Sequence, residues 1–135
     1  MRSGKKKHPM NILIVEDDKF ALNLLRHSLE TLGHKVEGTL NAEEAIEMAA
    51  TGRFELVISD IMMPGISGLS LVTILRTVHL CNTPIIIMSA LHNQPLLESV
   101  FDAGANDFLA KPFTIEDLEE KVKKFDKSKS DNVQK

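Results

Sequence analysis

Two kinds of apolar spacing alternate along this chain. The first is a short unbroken run, Ile12 to Val15 in "MNILIVEDD", that stops at the acids Glu16, Asp17 and Asp18. Its brevity and β-branching predict a buried strand rather than a helix. From Phe20 the period lengthens, and Ala21, Leu24, Leu25, Ser28, Leu29 and Leu32 fall on one mostly apolar helical face. Asp18 suits the cap of that helix and Gly33 its end. The alternation then repeats. "HKVEGT" predicts a short, more polar strand near a sheet edge, and "NAEEAIEMAATG" a helix capped by Asn41 and stopped by Gly52. "FELVIS" predicts a third strand, and "GLSLVTILRTVH" a third helix with Leu71, Leu75 and Val78 as its inner stripe. "TPIIIMSA" is the most apolar strand, "NQPLLESVFDAG" a helix that tolerates Pro95 only in its first turn, and "NDFLA" a fifth strand. "TIEDLEEKVKKF" closes the series as a helix. Thr114 and Asp117 are set there as a capping box, with Ile115, Leu118, Val122 and Phe125 as the stripe.

Strands alternating with helices in this way imply an α/β fold with a parallel sheet and right-handed crossovers. A chain of 135 residues, 43% of them hydrophobic, suits one domain whose core needs no disulfide or metal staple. Residues 10–126 carry the pattern. Residues 1–9 and 127–135 are charged and poor in apolar side chains, so a disordered N-terminal extension and a flexible C-terminal tail are expected. A net charge of −3 gives no global case for nucleic acid, and the basic stretches near the ends read as solvated charge. The single cysteine, Cys81, rules out a disulfide within the chain. His8, His27, His34, His79 and His92 lack ligand spacing and are expected at the surface. No apolar run approaches the roughly 20 residues of a membrane span, and no apolar segment follows the basic start "MRSGKKKHP". The expectation is a cytoplasmic protein that does not engage a membrane.

In open α/β sheets, functional groups gather at the carboxyl ends of the strands. Here those ends hold Glu16 and Asp17, then Asp60, Ser89 and Lys111. Carboxylates that close repel one another by several kcal/mol at a surface-like dielectric. A hard divalent cation with oxygen ligands relieves that repulsion. Mg²⁺ does so with one or two carboxylates, several waters and a phosphate. The cluster therefore reads as a Mg²⁺ site open to a phosphoryl group. Lys111 would supply a mobile charge and Ser89 a hydroxyl to the phosphoryl oxygens.

Four pieces, "ILIVEDD", "LVISDIMMPGISG", "PIIIMSA" and "GANDFLAKPF", stand in this order over about residues 10–126. Together they resemble the receiver domain of two-component response regulators, the CheY-like family of the chemotaxis and sporulation regulators. The resemblance implies a doubly wound (βα)5 fold, flavodoxin-like, with strand order 2-1-3-4-5. It implies that Asp60 is the phosphoacceptor, and that Asp17 binds Mg²⁺ directly and Glu16 through water. The Met62 carbonyl would complete the protein's share of the metal shell, and Mn²⁺ could substitute for Mg²⁺. Asp18 is then a helix cap rather than a ligand. Ser89 falls at the switch hydroxyl, Lys111 at the family's lysine and Phe108 at the aromatic switch, and the Lys111–Pro112 bond would be cis. On phosphorylation Ser89 would move toward the phosphoryl group and Phe108 would rotate inward.

The implied partners are a histidine kinase or histidine phosphotransfer protein, an unidentified downstream protein, and a second copy of the chain favoured by phosphorylation. No direct contact with nucleic acid is expected. The implied role is a signalling module that catalyses only its own phosphorylation and dephosphorylation. Three departures stand out. Ser67 occupies a position where an acid or asparagine is common, Phe108 replaces the commoner tyrosine, and Glu16 is longer than aspartate. Two other readings remain open. One is a receiver-like scaffold that works without phosphorylation. The other is an aspartyl-phosphate phosphatase of the same fold, which would want a second aspartate where Met62 stands.

Overall fold

In the computed structural model, which describes residues 9–126, the predicted alternation is realised throughout. The order is β1 (Asn11–Val15), α1 (Lys19–Thr31), β2 (Lys35–Thr39), α2 (Ala42–Ala50) and β3 (Leu56–Asp60). It continues with α3 (Gly68–Thr77), β4 (Ile85–Ser89), α4 (Gln94–Ala103), β5 (Asp107–Ala110) and α5 (Ile115–Lys123). The strands form one parallel sheet in the order β2-β1-β3-β4-β5. The expectations for residues 1–8 and 127–135 lie outside the described residues.

Strands β3 and β4 are buried at every position because helices cover both faces of the sheet, whereas the edge strand β2 is half polar and half exposed. Alternate residues of each strand point to opposite faces, and two apolar clusters result. One gathers Leu13, Val57, Ile85 and Ile87 under α2, α3 and α4. The other gathers Ile12, Ile14, Ile58 and Met88 under α1 and α5. The chain leaves β1 toward β2 and leaves β3 toward β4. The strand order therefore reverses between β1 and β3, and a crevice opens at their carboxyl ends.

The expected helix faces need three corrections. In α1 the buried stripe is Leu22, Leu25 and Leu29, and Leu24 is 57% exposed. Leu25 and Leu29 fit either stripe at a 3.6-residue period, and the position of the sheet selects the one containing Leu22. In α3, Val72 joins Leu71 and Leu75 in the core, while Val78 lies past the last helical turn and is exposed. In α5 only Leu118 and Val122 are buried, Phe125 is half-buried, and Ile115 faces solvent at the helix start. His34, expected at the surface, is buried, and its Nδ1 accepts from the Met10 amide at 3.1 Å.

Candidate functional site

The crevice collects the strand-end groups. Glu16 directly follows β1 and is 3% exposed; its amide donates to the Thr39 carbonyl of β2 at 3.2 Å. Asp17, next along, is exposed. Asp18 caps α1 through Oδ1, which accepts from the amides of Phe20 and Ala21. Asp60 ends β3, buried at 8% exposure. Gly68 backs it: a Cβ there would stand 2.3 Å from the Asp60 carbonyl oxygen, and the Gly68 amide donates to the Ile61 carbonyl at 2.9 Å. Only a residue without a side chain lets α3 start this close to the acidic strand end. Ser67, the departure before it, is the N-cap of α3 and accepts from the Ser70 amide, so it does the capping that an acid or asparagine would do.

Lys111 reaches into this group from the end of β5. Its Nζ lies 3.1 Å from Glu16 Oε1 and 3.2 Å from Asp60 Oδ1. Burial alone would lower the Lys111 pKa, but the two carboxylates outweigh it and hold the ammonium above its ordinary value. Burial pushes Glu16 up. The Asp18 amide and Lys111 only partly oppose that, and the neighbouring Asp60 adds to it. The longer side chain of Glu16 is thus engaged directly with the lysine, a contact that spacing along the sequence does not reveal. The Lys111–Pro112 peptide bond is cis.

One carboxylate oxygen from each of Glu16, Asp17 and Asp60 lies within 4.8 Å of the others. All three are hard oxygen donors, and Asp17 opens to solvent where waters can complete a shell. That donor set fits Mg²⁺. Met62 follows two residues after Asp60 and is 66% exposed.

Ser89 and Phe108 are placed differently. Ser89 ends β4, is 2% exposed, and its Oγ accepts from the Leu91 amide at 2.9 Å. Phe108 pairs in register with Ile87, on the face of the sheet that carries Ser89. It is 8% exposed within the cluster under α2, α3 and α4. The ring is therefore buried beside the strand end that carries Ser89. A phenylalanine has no hydroxyl to keep in water, so the apolar pocket retains it.

Beside Lys111 an apolar groove of about 410 Å³ runs between α1 and α5, lined by Leu24, Leu25, Phe113, Ile115 and Leu118. Leu24 and Ile115, misassigned to the core by their spacing, form its exposed lips.

The family model of the response regulator receiver domain matches residues 12–123. The chain belongs to that family. It is 34% identical over 114 residues to the transcriptional regulatory protein CrdR of Helicobacter pylori, covering 84% of this chain and 54% of that protein. It is 40% identical over 108 residues to the uncharacterized transcriptional regulatory protein YkoG of Bacillus subtilis, covering 80% and 47%. The chain thus spans about half the length of the curated relatives it matches. Among solved structures, the receiver domain of the Francisella response regulator 1452 superposes with a TM-score of 0.82 at 31% identity, over 89% of this chain and 98% of that one. Vibrio cholerae chemotaxis protein CheY4 superposes with a TM-score of 0.81 at 27% identity, over 87% and 99%. The five-stranded order and the CheY-like neighbours agree on a flavodoxin-like receiver, a signalling module of two-component systems. Among the described residues, no helix is long and apolar enough to cross a membrane.

Proposed function

We propose that Asp60 accepts a phosphoryl group from the phosphohistidine of a kinase or phosphotransfer protein, in a Mg²⁺-dependent reaction. The observation that carries this reading is Asp60 with Lys111 Nζ at 3.2 Å and two further carboxylates beside it. An Asp60 oxygen attacks phosphorus, the P–N bond breaks, and the imidazole nitrogen leaves with the electron pair. Lys111 offsets charge on the equatorial oxygens as they develop. Glu16, Asp17, Asp60 and the Met62 carbonyl would hold Mg²⁺, whose charge, when bound, offsets that of the phosphoryl oxygens. The groove between α1 and α5 opens beside Lys111, and its exposed Leu24 and Ile115 suit the apolar face of the donor's helix.

The product adds about −1.5 to −2 charges. The Ser89 hydroxyl turns to donate to a phosphoryl oxygen and gives up the Leu91 amide it now accepts from. The loop into α4 is released, and the face made by α4, β5 and α5 changes shape for a downstream protein or a second copy of the chain. Phe108, on the same face of the sheet, rotates to fill the space that Ser89 leaves. The equilibrium shifts only as far as the phosphoryl group binds the two states differently.

The test is incubation with Mg²⁺ and acetyl phosphate, followed by intact-mass measurement. A base-labile gain of one phosphoryl group is expected, absent from Asp60→Asn. No adduct, or one that persists in Asp60→Asn, would overturn the reading.

A further inference from the structure

Helix α4 packs lightly on the sheet, with Leu96, Leu97 and Ala103 half-buried against the cluster beneath it. Val100 is its one buried residue among those described. At its start, the Asn93 side chain accepts from Leu96 N–H within the same helix, and Gln94 Nε2 reaches Glu98 within the same helix. Beside this half lies a groove of about 440 Å³, lined by His92, Leu97, Phe108, Pro112 and Lys121 among others.

The other end is tied by one side chain. Arg76, in the last turn of α3, donates from Nε to the Gly104 carbonyl at 3.0 Å and from Nη2 to Asn106 Oδ1 at 2.9 Å. Its Nη1 donates to the carbonyls of Cys81 and Thr83, both at 2.8 Å. Asn106 passes the tie to β4: its Oδ1 also accepts from the Ile85 amide, and its own amide donates to the Ile85 carbonyl. Gly104 caps α4 with φ +117°, and a Cβ there would meet Arg76 Cγ at 2.8 Å. The Arg76 side chain therefore packs closely against the cap through Cγ, Cδ and Nε. Every acceptor it uses here is uncharged, so the contact serves geometry rather than charge pairing.

We propose that Arg76 is a positioning residue that pins the C-terminal end of α4 to α3 and β4. When Ser89 releases the Leu91 amide, α4 then swings about Gly104 at the edge of its groove instead of detaching. The swing rests on the phosphoacceptor reading above; the pin does not.

Amide hydrogen exchange of the full chain tests both, with and without Mg²⁺ and beryllofluoride, a stand-in for the phosphoryl group. In the wild type, beryllofluoride is expected to change exchange over residues 91–97 and to leave 101–106 as protected as before. In unliganded Arg76→Gln, exchange over 101–106 rises at least tenfold while α1 and α2 stay unchanged. With beryllofluoride the change then spreads along the whole of α4. Arg76→Lys, which keeps a donor and the fold, gives an intermediate rise. Exchange over 101–106 within twofold of wild type in both variants, or an equal rise in α1 and α2, overturns the pin. A wild-type change that reaches 101–106 overturns the swing. Failure of beryllofluoride to bind wild type counts against the phosphoacceptor reading, and the unliganded comparison still decides the pin.

Discussion

Lys111 Nζ lies 3.2 Å from Asp60 Oδ1, held there by Glu16 Oε1 at 3.1 Å on its other side. The lysine is thus already in place beside the oxygen proposed to attack. A charge-assisted contact is worth about 1.5–3 kcal/mol, which corresponds to roughly ten- to hundredfold in rate if it is made in the transition state. Lys111→Met should slow loading of Asp60 by acetyl phosphate by about that factor. The check is a time course of intact mass, and loading within twofold of wild type would assign the lysine another role.

The clustered oxygens of Glu16, Asp17 and Asp60 make the folded state a better cation ligand than the unfolded chain. Mg²⁺ should therefore raise the melting temperature. At a hundredfold excess over Kd the gain is about 2.7 kcal/mol. The chain has no tryptophan or tyrosine, so calorimetry is the suitable readout. Asp17→Asn should abolish the rise while leaving the metal-free melting temperature nearly unchanged, because Asp17 is exposed. A rise that survives Asp17→Asn would place the ion elsewhere.

Gly68 is fixed by backbone rather than by side chains. A Cβ would stand 2.3 Å from the Asp60 carbonyl oxygen and 2.8 Å from Ile61 Cα, and neither can rotate away. Gly68→Ala should cost at least the 1–3 kcal/mol typical of overpacking, read as a lower urea midpoint. It should also reduce Asp60 loading, because relief of the clash moves the strand end that carries the acceptor.

The placement of Glu16, Asp17, Asp60, Ser89 and Lys111 was legible because a parallel sheet sends every strand end to one edge, whatever the packing details. The faces of α1 and α3 were less so. Leu22 and Leu24 each complete a helical stripe with Leu25, and only the assembled sheet distinguishes them. Val78 follows the period of α3, but the helix ends at Thr77 and the chain turns it into solvent. Arg76 left no signal at all. Three of its four acceptors are main-chain carbonyls, and two of its partners lie 28 and 30 residues away, so no residue-type pattern marks them.

Asp107 joins β5 to α5 by accepting from Lys121 Nζ at 2.9 Å and Lys124 Nζ at 3.0 Å. Burial pushes its carboxyl up, but Lys121, the Phe108 amide and Lys124 together outweigh burial and hold it below the usual value. Its folded-state pKa is therefore lower than its unfolded one. The stabilisation is fully present above the unfolded value, near 3.9, and is lost as pH falls through the folded value. Urea unfolding of wild type and Asp107→Asn should show a constant gap from about pH 7 to 5 that closes below about pH 4. A gap that does not depend on pH would mean that packing, not charge, carries the contact.

Leu80 adopts a left-handed φ of +51° where α3 ends and the Cys81 amide turns back to the Leu75 carbonyl. Helix ends of this shape favour glycine, and a side chain with a Cβ pays about 1–2 kcal/mol to adopt it. Leu80 is 75% exposed, so few contacts offset that strain. Glycine loses more chain entropy on folding, which returns about 0.5–1 kcal/mol of the gain. Leu80→Gly should still stabilise the protein, by about 0.5–1 kcal/mol, through a higher urea midpoint at unchanged slope. Because the turn lies at the opposite end of the sheet from Asp60, phosphoryl loading should not change. A lower midpoint would mean that the exposed leucine makes contacts worth more than its backbone strain.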